Sequence, residues 1–488
     1  MHLTYLANIG HYIPEMLLVV LMVGLIILEA TYKESEKNRP YFYITTYIGL
    51  AATFIALIVN IKAAPLTIFT NSMTIDPFST LMKMIMVLGT FGAVYLSKIN
   101  RDIYDSLKSE YVIISVGVLI GGMILASANN MLMLYIGIET LSILSYVLAS
   151  LSKNNDRSSE AGLKYVLYGG ISAGIMLFGM SHIFGIVGTI QFSEMIAVFP
   201  TLEAWKIAVI MPSFLLFFVG IGYKIACVPF HMWSPDVYEG SPLPVTAFFS
   251  IVPKIAGIAV LVRVTMMFFG HTGPMQIGWI GLLSIISALT MTVGNVSAIN
   301  QKSVKRMLAY SSISHAGVMM AGLVVLSDIG VRSIVFYGIT YLFMTVAAFY
   351  ILGIVQDKYN NDHFERFTGL IYRYPMMAIM MTIVMFSLTG IPPFSGFVAK
   401  FNILYALLSK KHFALAIILG LNSIVSAYYY LKIVRLMILK KQESDETISH
   451  FGFLNQMIIT VMTVPVVFLG IFWERVMMLA QGANIFIK

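Results

Sequence analysis

The sequence predicts an all-α polytopic membrane protein of about fourteen transmembrane helices, and three observations carry that expectation. Hydrophobic residues make up 58% of the chain and charged residues 11%, whereas soluble domains carry about 25% charged residues. Apolar runs long enough to cross a bilayer, about 20 residues each, follow one another with short connections and no soluble domain between them. Lysine and arginine gather on alternate connections, the pattern that sets membrane topology.

Spans are expected to start near Ile13, Tyr41, Ile75, Glu110, Met131, Glu160, Lys206, Pro242, Ile277, Val304, Ile329, Pro375, His412 and Leu454. The opening MHLTYLANIGHYIPEM has neither a basic n-region nor a small-residue cleavage site, so the first span reads as retained. Connections after odd-numbered spans carry Lys33, Lys37 and Arg39; Lys98, Arg101 and Lys108; Lys153 and Arg157; Lys302, Lys305 and Arg306; Lys358, Arg366 and Arg373; Lys440 and Lys441. Connections after even-numbered spans carry chiefly Lys62, Lys206, Arg332, Lys410 and Lys411. Odd connections are therefore expected on the cytoplasmic side, with both termini on the opposite one.

The net charge of +8 comes from these short connections, so it reads as a topology signal and not as a nucleic-acid surface. The single cysteine, Cys227, excludes disulfides and any cysteine-ligated iron–sulfur cluster within the chain. None of the nine histidines has a metal-site spacing such as HExxH. His182 and His315 lie in apolar spans, where either haem ligation or a core or water-linked role is open. Gly121-Gly122 and Gly169-Gly170 fall inside spans, where small residues let helices approach closely, and form no nucleotide loop. No redox cofactor is expected in this chain.

Within the stretch Phe217–Ser250, Lys224 sits in the apolar part of the seventh span, and Pro229 follows about one and a half turns later. Proline removes a backbone donor and clashes with the preceding turn, so the helix should break there. The box from Pro229 to Asp236 then mixes aromatics with His231 and a carboxylate, and the eighth span brings Lys254 just after Pro253. Broken backbone and ionisable groups are tolerated in lipid only where protein or water surrounds them, so two lysines flanking a break read as an ion pathway. The alternative is that each lysine snorkels to the interface.

Five spans later the twelfth carries Leu388-Thr389-Gly390-Ile391-Pro392-Pro393-Phe394-Ser395-Gly396, followed by Lys400. Interrupted helices in corresponding positions of two halves point to a repeat transporter and its site. The odd offset makes the two halves face opposite ways. The competing reading is that Gly-Pro breaks are common in membrane helices, although here each is accompanied by a lysine.

Glu139 lies in the middle of the fifth span, where a bare charge costs about 2.5–3.5 kcal/mol on the insertion scale. It is expected within ion-pair reach of Lys224, as a working pair whose charge states depend on each other or as a structural pair. Lys164 follows Glu160 at an i, i+4 spacing that lets the two neutralise each other in part. His315, among Ser311, Ser312 and Ser314, and Lys432, after Tyr428-Tyr429-Tyr430, extend a candidate polar axis; for His315 a core role is equally open. Arg263 and Glu474 lie nearer span ends and are expected to be interfacial.

The segment GYKIACVPFHMWSPDVYEGSPLPVTAF resembles the antiporter-like membrane subunits of respiratory complex I, which are related to subunits of multi-component sodium/proton antiporters. Its PDVYEGSP form is similar to the N-type subunit. LAYSSISHAG at Leu308–Gly317, LTGIPPFSGFVAKF at Leu388–Phe401 and AYYYLKIVR at Ala427–Arg435 look N-like too, so the resemblance covers about Glu110 to Arg435. M-type subunits carry a glutamate where this chain has Lys400, and the long lateral helix of L-type subunits does not follow the fourteenth span.

The resemblance implies an N-terminal unit (1–109), two inverted five-helix repeats, spans four to eight (110–270) and nine to thirteen (271–440), and a last span (441–488). Helices seven and twelve would be discontinuous, at Pro229 and at Pro392-Pro393. By position, Glu139 and Lys224 would be the family's glutamate–lysine pair, Lys254 the central lysine and Lys400 that of the second broken helix. The implied function is proton translocation in a bacterial inner membrane by a subunit of NADH:quinone oxidoreductase that performs no redox chemistry. NADH, FMN, iron–sulfur clusters and quinone would belong to partner subunits, and M-type and K-type membrane subunits would be neighbours. The alternative is a subunit of a secondary sodium/proton antiporter. A passive scaffold explains the spans but not the lysines.

Overall fold

A computed structural model of the protein describes residues 10–32, 39–61, 64–270, 274–441 and 452–481. Lys33, Lys37, Lys62 and both chain ends, on which part of the topology expectation rests, lie outside the described residues.

The chain begins with three apolar helices, α1 (Ile13–Tyr32), α2 (Arg39–Asn60) and α3 (Pro77–Ile99). Between α2 and α3 runs a departure from an all-helical reading, a small antiparallel hairpin of β1 (Leu66–Ile68) and β2 (Met73–Ile75). Asp76 ends the hairpin and starts α3: its carboxylate accepts from the Ser79 amide at 2.7 Å, the Ser79 hydroxyl accepts from the Asp76 amide, and Pro77 fills the first helical position. This reciprocal cap satisfies two of the donors a helix start leaves free.

Next come α4 (Lys108–Ser127), α5 (Met131–Ala149), α6 (Asp156–Val187), α7 (Ala204–Ile225), the short α8 (Trp233–Gly240) and α9 (Leu243–Phe269). The sixth span begins at Asp156, earlier than the expected Glu160, because Asn155 caps it by accepting from the Arg157 amide. α10 (Pro274–Ile299), α11 (Val304–Val324), α12 (Asp328–Tyr359), α13 (Pro375–Thr389), α14 (Ser395–Ser409), α15 (Phe413–Ile438), α16 (Phe453–Ile471) and α17 (Trp473–Gln481) complete the chain.

Among the described residues, twelve helices are long and apolar enough to cross a membrane, or thirteen when the bent pair α16–α17 counts as one span. α13 and α14, fifteen residues each, fall where the twelfth span was expected. The protein is therefore an integral, multi-pass, helical membrane protein. α17 turns 81° away from α16, with Glu474 exposed in its first turn.

α9 runs through the middle of the bundle, where it packs against α3, α4, α7, α11 and α12. It is apolar around its whole circumference, as a helix with no solvent or lipid face must be, and nearly every side chain is buried. Its two ionisable residues, Lys254 and Arg263, are therefore inside protein.

That location corrects the interfacial reading of Arg263. Its side chain is fully buried and forks onto the Asp76 carboxylate at 3.0 and 3.1 Å, while also donating to the Ala126 carbonyl. Nη2 donates to Oδ1 in a charge-assisted hydrogen bond, and Nη1 faces Oδ2 as an ion pair. A second buried pair, Lys83 of α3 with Glu15 of α1 at 2.6 Å, was not anticipated from the sequence.

Candidate functional site

The first helix break forms where α7 ends. Ala226 takes a left-handed conformation (φ 58°), and the Cys227 amide turns back to the Gly222 carbonyl at 3.0 Å. The Tyr223 carbonyl accepts from the Ala226 amide and from the Trp233 indole, each at 3.0 Å, and the Val228 amide donates to Thr290 at 3.0 Å. Backbone groups beside the break thus find protein partners, as burial at membrane depth requires.

Lys224 lies in the last turn of α7 and is 1% exposed. Its ammonium has no hydrogen-bond partner among the described residues and sits among three tyrosine rings, 5.4 Å from Tyr165, 5.7 Å from Tyr223 and 5.9 Å from Tyr146. A desolvated cation facing such rings gains about 2 kcal/mol from each good contact. Trp233 stacks on Tyr165 at 4.4 Å, so α8 closes the cage from outside.

The expected Glu139–Lys224 ion pair is not formed in this conformation. No contact within 4.0 Å links them, and the buried Glu139 Oε1 has no hydrogen-bond partner among the described residues. Tyr146, two turns from Glu139 on α5, presents its ring to Lys224 and sets its hydroxyl against Gly169 of α6.

α7 meets α9 one turn beyond Lys254. A Cβ at Gly257 would lie 2.5 Å from Ile225 Cγ2 and 3.5 Å from Lys224 Cγ, so only glycine allows this approach. Lys254 is 1% exposed, donates to Ser312 at 2.6 Å and faces the Tyr238 ring at 5.6 Å. Trp233 lies 5.2 Å from Tyr223 and 6.3 Å from Tyr238, so one aromatic layer runs from the Lys224 cage to Lys254.

His315 follows Ser312 by one turn of α11. Its Nδ1 pairs with the Tyr337 hydroxyl at 2.6 Å and its Nε2 with the Tyr430 hydroxyl at 3.0 Å, and Tyr430 also bonds Ser311. Both ring nitrogens are thereby engaged with hydroxyls, an arrangement for passing a proton and not for holding haem iron. His182 is exposed, edge-on to Phe178 at 4.5 Å.

Lys400 lies across the second break. Gly390 ends α13 in the left-handed region (φ 93°), and Lys400 Nζ donates to the freed carbonyls of Leu388 and Thr389 at 2.9 and 2.8 Å. His315, Lys400, Asn295, Asn422, Tyr429 and Tyr430 border a polar cavity of about 10 Å³, the room one water needs. Tyr429 donates to Asn295 at 2.8 Å, and Asn295 to Asn422 at 3.0 Å.

The remaining expected members lie elsewhere. Lys164 bonds Glu160 at 2.7 Å, as its spacing predicted, and Asp236 at 2.8 Å, but its side chain is 36% exposed in a surface cleft. His231 is partly exposed, with Nδ1 lacking a hydrogen-bond partner among the described residues. Lys432 sits over the Phe364 ring at 4.3 Å, away from the buried Tyr430. Sequence reasoning missed Tyr337, Asn295 and Asn422; the two asparagines, polar groups inside apolar spans, were the available signal. Among the described residues, no group of three His, Cys, Asp or Glu side chains is placed to hold a metal.

Residues 128–426 match the family described as NADH:quinone oxidoreductase/Mrp antiporter, TM. NADH-quinone oxidoreductase subunit N 2 of Sorangium cellulosum is 36% identical over 96% of both chains. The chain belongs to this family and, within it, to the subunit N chains. A chain of respiratory complex I from Thermus thermophilus, solved with bound aureothin, is 28% identical with a TM-score of 0.80, covering 96% of this chain and 100% of that one. A chain of the Mrp complex from Dietzia sp. shares the fold, with a TM-score of 0.83 at 19% identity over 97% of this chain and 96% of that one.

Proposed function

We propose that the chain translocates protons as a non-redox membrane subunit of NADH:quinone oxidoreductase, using Glu139, Lys224, Lys254, His315 and Lys400 as relay groups. The observation that carries this reading is the run of buried ionisable groups through the bundle, Lys224, Lys254, His315 and Lys400. Lys224 sits in its tyrosine cage, Lys254 on Ser312, His315 between two tyrosine hydroxyls and Lys400 on two carbonyls, with an aromatic layer from the first to the second and a polar cavity bordered by the last two. A purely structural core gains little from such groups, because each buried charge is costly to desolvate.

In the working cycle Lys224 alternates between its cage and Glu139. A nearby carboxylate favours the charged lysine, and withdrawing that attraction favours proton release towards Lys254. Moving one charge against 100 mV costs about 2.3 kcal/mol, and a change of one to three pKa units at about 1.36 kcal/mol each covers it.

The division into an N-terminal unit, two inverted repeats and a final span fits the two breaks, each with a left-handed residue ending its first half-helix. The protein is placed in a bacterial inner membrane, with both termini on the non-cytoplasmic side. NADH, FMN, iron–sulfur clusters and quinone are assigned to partner subunits, and M-type and K-type subunits to its neighbours. Co-purification with flavin and iron–sulfur subunits separates this reading from a secondary sodium/proton antiporter, which needs neither.

Lys254→Ala tests the relay. Among the described residues Lys254 has no acidic partner, and Ser312 keeps its bond to the Ala309 carbonyl at 2.6 Å, so the substitution strands little. Assembly is expected to survive while proton pumping and the coupled NADH oxidation fall. Full pumping by an assembled Lys254→Ala complex would refute the relay.

A further inference from the structure

α8 has only eight residues, and isolated helices shorter than about 12–15 residues are marginal. Its inner side places Trp233 in the aromatic layer and Tyr238 over Lys254, while Asp236 and Glu239 point to a surface cleft. Its C-terminal end is held by two consecutive residues in the first turn of α11. Lys305, 5% exposed, directs its hydrogen bonds to the carbonyls of Glu239 (3.2 Å) and Ser241 (2.5 Å). Arg306 pairs with the Glu239 carboxylate and, at 3.2 Å, with Asp236.

A cation at a helix C-terminus is favourable, whereas one in the first turn of its own helix is not. Lys305 and Arg306 thus stabilise α8 at the expense of α11. Two turns along α11, Ser312 bonds Lys254 directly. The same helix therefore fixes Lys254 and the element that covers it. The cleft outside α8, about 290 Å³, is lined by Arg157, Glu160, Lys164, Asp236, Glu239 and Arg306.

We propose that Lys305 and Arg306 are positioning residues for proton transfer at Lys254. They hold α8 as a cover between the charged cleft and that lysine, and their grip on α8 sets how Tyr238 and the aromatic layer are seated against it. The inference rests on Lys254 being a relay group. It adds that the carbonyl clamp of Lys305 and the carboxylate clamp of Arg306 are needed for that relay to turn over.

The test uses the whole complex reconstituted in liposomes, with NADH oxidation and protons moved measured per flavin in assembled particles. Lys305→Met is expected to cut coupled turnover about tenfold, within the range by which displaced catalytic groups lose rate, and Lys305→Arg to restore at least half of it. Arg306→Glu should lose turnover and regain it on addition of Glu239→Arg, which restores the pair with its signs exchanged. Unchanged turnover per assembled Lys305→Met complex, with only less complex formed, would reduce Lys305 to a structural role and overturn the proposal. If Lys305→Met does not assemble, the charge exchange decides: no recovery overturns the proposal. A parallel Lys254→Met control separates the layers. Full turnover there refutes the relay itself, whereas loss there with none in Lys305→Met refutes only the clamp.

Discussion

Lys400 caps Leu388 across the second helix break, its Nζ 2.9 Å from the Leu388 carbonyl, with Thr389 accepting from the same ammonium at 2.8 Å. The break and the lysine are one device: Pro392 and Pro393 cannot supply amides to the preceding turn, and Lys400 supplies donors instead. Capping and proton relay are therefore separable by substitution. Lys400→Arg keeps donors but not a group that releases its proton, so it should assemble near wild-type levels and pump poorly. Lys400→Met leaves buried carbonyls unpaired, at about 1–3 kcal/mol each, and should be both less stable and inactive. Thermal stability and pumping of the purified complex check this; wild-type pumping by Lys400→Arg would mean that Lys400 only caps.

Gly390 is required twice over at the same place. Its φ of 93° suits glycine, and a Cβ there would stand 2.9 Å from Lys400 Cδ. Gly390→Ala is expected to cost at least about 1–2 kcal/mol in backbone strain and to displace the Lys400 stem. The melting temperature should fall and pumping with it; an unchanged melting temperature would argue against the geometry of the break.

The breaks and the lysines were legible in the sequence because proline and charge are both costly in an apolar span, and each stands out against it. Partners were less legible. Glu139 and Lys224 looked like a pair because each lacked a neighbour along the chain, but α5, α6 and α7 bring three tyrosines around the lysine first. Arg263 looked interfacial from its place near a span end; nothing local announces that Asp76, the cap of a distant helix, faces it. Lys432 was drawn into the axis by the adjacent tyrosines, yet residues two apart on a helix do not share a face. It follows the exposed Tyr428 by four residues and not the buried Tyr430.

The Asp76–Arg263 pair is expected to serve assembly and not proton transfer, since it ties the start of α3 to α9 and the end of α4. Arg263→Met strands a buried carboxylate, at about 3–5 kcal/mol, and should sharply lower the amount of complex. Adding Asp76→Asn removes the stranded charge, and the amide still accepts at the α3 cap, so the double variant should recover much of the loss. Quantifying assembled complex in membranes decides it. No recovery in the double variant would show that the charge itself is required.

The last prediction concerns Tyr146, which has two functions that a single atom separates. Its ring is one wall of the Lys224 cage, at 5.9 Å from the ammonium. Its hydroxyl faces Gly169 of α6, too close to leave room for a Cβ there, and the gap between that ammonium and Glu139 is the region the pair must bridge. Because the carboxylate and the ammonium are not in contact, a proton or the lysine itself must cross that region for the pair to switch. Tyr146→Phe keeps the ring, and with it the shape of the cage and most of the cation–π attraction, but removes the only group on that residue able to hand on a proton. Tyr146→Leu removes both. If the hydroxyl is part of the path, Tyr146→Phe should assemble normally and lose pumping several-fold, with Tyr146→Leu losing stability as well. If instead Lys224 reaches Glu139 by swinging past an inert ring, Tyr146→Phe should pump as the wild type does, and only Tyr146→Leu should fail. Proton uptake measured at matched complex content distinguishes the two. Equal pumping by the Phe and wild-type forms would remove Tyr146 from the relay and leave the lysine side chain as the moving part.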